Sequence, residues 1–458
     1  GSEMCIRDSV QPDGCADYDL RGRHEGDGKG RHQYHYQKDK QRTLQEKNTH
    51  CGRPPDRKRQ CEGKEDKRMS MADEMREHLQ NHIVPFWQKL EDKEYGGFYG
   101  YMGPDLVVDK KAVKGCILNS RILWFFSNAS MALADKKLLR DAECAYDFMT
   151  KYCFDKEYGG IFWSVTYDGR PEDTTKHIYN QAFAVYALSS YYAASGKEEA
   201  LAHAMELFRI IEEKGFDEGG YKEALDRTFA PAANDKLSEN GVMADRTMNT
   251  LLHVFEAYTE LYRVSKNEAV GKKLRWILET FRTKIYNPEK HRQEVFFDND
   301  MNSIIDLHSF GHDIETAWLL DRGLDALGDE AYKKEWDGIV ADLVAEVYKD
   351  AYYNHSMSNE CERGVVDKKR VWWVQAESVV GYYNEYQKHP EHKEYLQASE
   401  DIWNFIKTYV IDKREGSEWF MHVDDEGRPE EDKPIVEPWK CVVGYYNEYQ
   451  KHPEHKEY

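Results

Sequence analysis

A glycine–aromatic signal that returns about every sixty residues constrains this chain more than any other feature. Glu94-Tyr95-Gly96-Gly97-Phe98-Tyr99 is echoed by Glu157-Tyr158-Gly159-Gly160-Ile161-Phe162 and by Asp217-Glu218-Gly219-Gly220-Tyr221. Weaker echoes follow at Val295-Phe296-Phe297, Tyr353-Asn354-His355 and Gly416-Ser417-Glu418-Trp419-Phe420. With Gly97, Gly160, Gly220, Phe297, His355 and Phe420 as markers, the spacings are 63, 60, 77, 58 and 65 residues. Between the markers, amphipathic stretches of helical length come in pairs: 117–134 with 138–153, 177–194 with 198–213, 246–264 with 267–285, 312–327 with 330–349, and 372–388 with 392–410. A first helix runs from Met71 to the region of Pro85. A long period with two helices per unit is the mark of a helical repeat. The ends carry no polar capping repeats, so the units are expected to close on one another rather than stack openly. The predicted fold is all-α, an (α/α)6 barrel of six hairpins with under a tenth of its residues in strands. Its glycine turns should gather at one mouth and present their aromatics to a central cavity.

The period does not cover the whole chain of 458 residues. Residues 1–68 hold 16 Lys and Arg against 13 Asp and Glu, with no Phe or Trp. Such a stretch buries too little apolar surface to offset its ordering entropy, and it is expected to be a disordered, non-native extension. The folded domain is expected at 69–441. At the other end, Val442–Tyr458 repeats Val379–Tyr395 without a single change. A perfect duplication there is expected to be a sequence artefact that replaces or truncates the last helix.

Charge and motifs narrow the function. The chain carries a net charge of -20 although its first 68 residues are slightly basic, so the remainder is strongly acidic. That argues against nucleic acid and anionic membrane surfaces as partners. No apolar run approaches the ~18 residues of a membrane span. Nine cysteines without a CxxC pair do not form a disulfide framework, which fits a cytoplasmic protein. Phosphate-loop, dinucleotide and GxSxG motifs are lacking.

Proton chemistry is suggested by His312 and Glu315, three residues apart on one helix face in His308-Ser309-Phe310-Gly311-His312-Asp313-Ile314-Glu315. A histidine beside a carboxylate can be tuned to neutral pKa, as a general base requires; the same pair can also simply cap a buried helix. Asn249 and His253 share a face four residues apart, as a binding pair or as satisfied core residues. Arg121 falls on an inner helix, where it needs acceptors such as sugar oxygens. Lys176, Tyr179, Asn180 and Gln181 form a comparable polar group. Trp372, Trp373 and, one repeat on, Trp439 offer aromatic faces for the C–H faces of sugars, although core packing accounts for most aromatics. His308, His312 and Glu315, with His253, are the conceivable metal ligands, but Gly311 should break the helix between the two histidines. No metal is expected.

Together these motifs resemble the N-acylglucosamine 2-epimerase superfamily, from about Met71 to Cys441. The resemblance rests on Gly-Gly-Phe-Tyr-Gly at 96–100, Ser-Arg-Ile-Leu-Trp at 120–124, Lys176 with Tyr179 and Ala182-Phe183, and Asn249 with His253. It continues through Gly-His-Asp-Ile-Glu at 311–315, Val-Trp-Trp-Val-Gln-Ala-Glu at 371–377 and Pro-Trp-Lys-Cys at 438–441. It implies an (α/α)6 barrel with no metal or organic cofactor. The implied reaction inverts C2 of the reducing-end glucose of β-1,4-linked disaccharides such as cellobiose, with lactose or mannobiose as further candidates. It further implies His312 as one acid/base with Glu315 orienting it, Arg121, Asn249 and His253 on the oxygens where charge develops, and Trp372, Trp373 and Trp439 stacked on the sugars. Tyr179 and Glu377 complete the expected site. The family's second catalytic histidine lies in Pro-Tyr-His-x-x-Arg, five residues after the tryptophan, where this chain has Gly444. Asn119 also departs, standing where close relatives usually place a histidine. Two other readings stay open: a glycoside hydrolase using Glu315 and Glu377, or a sugar-binding protein without catalysis.

Overall fold

Five helices of this chain are buried on nearly every side, and five partners are amphipathic, which by itself sorts them into an inner and an outer layer. The computed structural model describes residues 69–234 and 242–439. The inner helices are α3 (Cys116–Ala132), α5 (Ile178–Ser195), α7 (Met248–Ser265), α9 (Phe310–Leu327) and α11 (Trp372–Lys388). Each returns through an outer helix: α4 (Leu138–Phe148), α6 (Glu198–Lys214), α8 (Glu268–Thr280), α10 (Glu330–Asp350) and α12 (Lys393–Phe405). The chain begins its fold with α1 (Met71–His78) and α2 (Val84–Lys89), one rod joined by a π-helical turn at Leu79–Ile83. The inner helices pack neighbour to neighbour in the order α3, α5, α7, α9, α11, and because each is followed by a return helix they run in the same direction.

The ring closes through partners more than 300 residues apart. Trp403 Nε1 donates to Glu74 Oε2 at 2.9 Å, Trp87 Nε1 to Glu418 Oε1 at 2.8 Å, and Trp419 Nε1 to His78 Nε2 at 2.9 Å. These bonds seat the first rod against the last outer helix, as the (α/α)6 barrel requires. The described residues supply eleven of its twelve rods. The expected truncated last helix, the duplicate at 442–458 and the N-terminal extension at 1–68 all lie outside the described residues.

His78 must be neutral to accept the Trp419 hydrogen. Burial, then the neighbouring His82 and Lys413 charges, lower it from 6.5 to about 3. A folded value below the ordinary one means that stability is fully present above about 6.5 and is lost as pH falls towards 3. We expect a His78→Gln chain, whose amide oxygen can still accept from Trp419, to lose less melting temperature between pH 7 and pH 4 than the unmodified chain.

Connections differ at the two ends of the barrel. From inner to outer helix the links are short, with left-handed caps at Gly196, Lys266 and Gly328. From outer to inner helix they are long and carry the glycine turns and eighteen strands of two or three residues each. Those strands make up just over a tenth of the described residues, slightly more than the sequence predicts, because each long link folds into a ladder.

One device recurs in these links: a basic residue stands two places ahead of every inner helix. Lys114 Nζ binds Asp92 Oδ2 at 2.6 Å and the Gly96 carbonyl at 2.8 Å. Lys176 Nζ repeats this with Asp155 Oδ2 at 3.1 Å and the Gly159 carbonyl at 2.8 Å. Arg246 reaches Asp217 at 2.6 Å, His308 meets Asp313 at 3.0 Å, and Arg370 donates to Ser356 Oγ at 2.8 Å. The first two pins hold glycine pairs at positive φ, 81° and 66° at Gly96 and Gly97, 82° and 71° at Gly159 and Gly160. Removing one partner of a buried pair strands the other's charge. Lys114→Met should therefore cost about 3–5 kcal/mol, read as a lower urea midpoint at unchanged slope.

Two of the turn aromatics, Phe98 and Tyr221, pack within the wall rather than at the expected cavity. Phe98 stacks on Phe126 inside the wall, and Tyr221 donates to Glu212 on an outer helix. Their rings fill the seam between layers, where apolar burial is larger than at a wet mouth.

Candidate active site

The side chains singled out in the sequence sit at the starts of the inner helices. Arg121 is the sixth residue of α3 and Tyr179 the second of α5. Asn249 and His253 are second and sixth in α7, His312 and Glu315 third and sixth in α9, and Trp373 and Glu377 second and sixth in α11. Parallel inner helices bring these first turns to one mouth, the end with the long connections. The positive ends of the helix dipoles also meet there, a setting that favours developing negative charge.

Contacts join one side of the group. Arg121 Nη2 donates to the Tyr179 hydroxyl at 2.8 Å and Nη1 to the Trp439 carbonyl at 2.5 Å. Its guanidinium lies 4.3 Å from the Phe183 ring centre. His253 packs between Tyr179 and Phe183, with centroids 5.1 and 4.9 Å away. Trp439 stacks on Trp163 at 5.7 Å.

The other side centres on His312. Its Nδ1 is 2.6 Å from Ser309 Oγ, and its ring packs on Trp373 at 5.0 Å. Nε2 is buried without a hydrogen-bond partner. Burial, then the nearby His253, lowers its pKa to about 3. His253 therefore lies near enough to act on His312 electrostatically.

Glu315 does not orient His312. It faces Glu377 instead, and Ser309 holds the histidine ring. Burial, then the Glu377 charge, pushes the Glu315 carboxyl well above its ordinary value, with one oxygen buried and unpartnered. Glu377 in turn accepts from Trp318 Nε1 at 2.9 Å.

Several sequence candidates are placed apart from this group. Trp372 packs edge-on against Trp419 at 6.2 Å, so the adjacent tryptophans diverge, as a helical step of ~100° dictates. Lys176 is a turn pin. Asn180 Nδ2 donates to the Phe162 carbonyl at 2.8 Å, and Gln181 clasps Ile161 by its N–H and carbonyl, both at 2.8 Å. Asn119 plays the same part, accepting from Phe98 N–H at 3.2 Å.

Gly311 does not break the helix. It lies inside α9, where an added Cβ would come within 2.5 Å of the Trp373 ring, so glycine permits the close approach to α11. His308 sits on the preceding strand and is engaged by Asp313. Among the described residues no three His, Cys, Asp or Glu side chains are grouped to hold a metal ion. No helix there is long and apolar enough to cross a membrane.

Ser309, Glu256 and Arg322 are functional candidates the sequence reading missed. The signal was present: Glu256 continues the Asn249/His253 stripe by three residues, and Ser309 precedes His312 by three.

Known proteins place this architecture. The model of the N-acylglucosamine 2-epimerase family matches residues 96–437. A cellobiose 2-epimerase from Ruminococcus albus is 49% identical over 377 residues, covering 82% of this chain and 96% of its own length. The crystal structure of a sugar epimerase from a ruminal bacterium superposes with a TM-score of 0.81 at 48% identity, covering 83% of this chain and 97% of that one. A family 76 α-mannanase from Bacteroides thetaiotaomicron has a TM-score of 0.55 at 10% identity, with 82% and 94% covered, which is a likeness of fold alone. The chain belongs to the N-acylglucosamine 2-epimerase family.

Proposed function

We propose that this chain is a disaccharide 2-epimerase that reversibly inverts C2 of the reducing-end glucose of β-1,4-linked disaccharides, converting cellobiose to glucosyl-mannose. The observation that carries the reading is the convergence at the inner-helix starts of His312, packed on Trp373, and of His253, packed on the Tyr179 ring whose hydroxyl accepts from Arg121. The 49% identity to a protein named cellobiose 2-epimerase supports it.

The chemistry asks for little more than proton transfer in a preorganised site. The sugar ring opens, a base removes the proton α to the aldehyde, and an acid returns it to the opposite face of a cis-enediol. His312 supplies one such group through Nε2, with Ser309 Oγ, 2.6 Å from Nδ1, holding the ring in place. Burial and the Glu377 charge push the Glu315 carboxyl well above its ordinary value, which favours the protonated form that can donate a hydrogen bond. Arg121, with Asn249 and the helix starts, stabilises the oxygens where charge develops, and His253 exchanges a proton with the sugar there. Trp373 and Trp439 are the proposed sugar-stacking faces, whereas Trp372 packs on Trp419 within the wall. The second acid/base is proposed for position 444, and its replacement by Gly444 should impair the chain. Cytoplasmic location and use of lactose or mannobiose belong to the same proposal.

Incubation with cellobiose, followed by separation of the disaccharides, tests the reading. Glucosyl-mannose at constant total disaccharide is expected, formed slowly by this chain and readily once an ending with a histidine at 444 replaces Val442–Tyr458. Release of free glucose would instead indicate a hydrolase working through Glu315 and Glu377, and binding without turnover a sugar-binding protein.

A further inference from the structure

The polar stripe that starts at Asn249 continues down α7: Glu256 follows His253 by three residues and Glu260 follows by four more. His253 Nδ1 lies 2.9 Å from Glu256 Oε2, and both side chains are buried. An ionised carboxylate accepts and cannot donate, so the proton between them sits on Nδ1. In the neutral ring Nε2 is then the basic nitrogen.

Glu256 has backing of its own. Arg322 donates to the Tyr186 hydroxyl at 3.2 Å and to Glu260 Oε2 at 3.2 Å, while Arg263 grips Glu260 at 2.9 and 2.6 Å. Burial pushes the Glu256 carboxyl up, but the His253 hydrogen bond, with the Arg322 charge, leaves it below its ordinary value. His253 also packs on the Tyr179 and Phe183 rings, near the Arg121 cation. Burial leads among the influences on His253 and lowers its pKa, so the resting pair is a carboxylate and a neutral imidazole.

We propose that Glu256 is a positioning residue for the epimerisation: it locks His253 in the Nδ1–H tautomer with Nε2 towards the sugar, and it offsets the charge that builds on the ring when Nε2 takes a proton. The proposal rests on the 2-epimerase reading. A carboxylate needed only to pair with Arg322 would have no reason to hold a histidine at the mouth. The Arg322–Glu260 bond already supplies that pairing.

Nitrogen NMR of histidine-labelled protein tests it, with the His253 signals assigned by their loss in His253→Gln. In the unmodified chain Nδ1 should be protonated and Nε2 not. Glu256→Gln, whose amide can donate to Nδ1, should move His253 wholly or partly to the Nε2–H tautomer and lower its titration. In a chain that turns over cellobiose, the same change should cut kcat about 10²–10⁴-fold and leave KM within a few-fold. Glu256→Asp keeps the charge and should restore the tautomer and part of kcat; it also carries the readouts if the glutamine variant does not fold. An unchanged tautomer, titration and kcat, with only a lower melting temperature, would overturn the proposal. The NMR arm needs no turnover, so a tautomer switch in a chain inert towards every disaccharide would support the His253–Glu256 coupling and count against the epimerase reading instead.

Discussion

Replacing Val442–Tyr458 by an ending that carries Pro-Tyr-His-x-x-Arg after Cys441 is expected to raise cellobiose 2-epimerisation about 10²–10⁴-fold, the usual worth of one positioned acid/base. Inversion at C2 removes a proton from one face and returns it to the other, which two titratable groups on opposite sides do better than one. His312 is the first. The resemblance puts the second five residues after Trp439, where Gly444 cannot transfer a proton. The chain reaches the site just before that point, since Arg121 holds the Trp439 carbonyl at 2.5 Å and Trp163 stacks on its ring. Initial rates on cellobiose for both chains decide the matter. Equal rates would show that the second group is already present, with Glu377 or His253 next to be replaced.

In that repaired chain, His312→Ala should lower kcat by a further 10²–10⁴-fold and bring the rate to background. Nothing in α9 can take its place. Glu315, the next polar side chain on the same face, is turned to Glu377, and burial with that neighbour's charge pushes its carboxyl well above the ordinary value. That shift favours the protonated form, which is no base. The loss should appear in kcat rather than in disaccharide binding, measured by calorimetry, because Arg121, Tyr179 and Trp373 remain.

Much of this was readable from residue order, for physical reasons that differ between elements. The (α/α)6 architecture follows from the sixty-residue period, because two helices and a glycine turn fill one period whatever their tertiary contacts. His312, His253, Arg121 and Tyr179 stood out because polar groups on otherwise apolar faces are costly to bury without use or partners. The orienting partners were harder. Glu315 looked like the partner of His312 because it lies one turn on, yet Ser309 ahead of the helix is nearer to Nδ1. Turn pins such as Lys176 and Asn119 read as site residues because a buried lysine or asparagine looks the same in sequence whether it binds a sugar or a carbonyl. Aligning the repeats on their inner helices separates the two: Lys114, Lys176, Arg246, His308 and Arg370 all stand two places before a helix, a regularity that a sugar-binding role does not require.

The central claim, proton removal and return at C2, is tested most directly by running the reaction on cellobiose in deuterium oxide with the repaired chain. The account predicts one deuterium at C2 of the reducing-end mannose formed, and exchange at C2 of the recovered cellobiose that disappears with His312→Ala. Conversion to the mannose epimer with the original hydrogen retained throughout, or exchange that persists without His312, would contradict it.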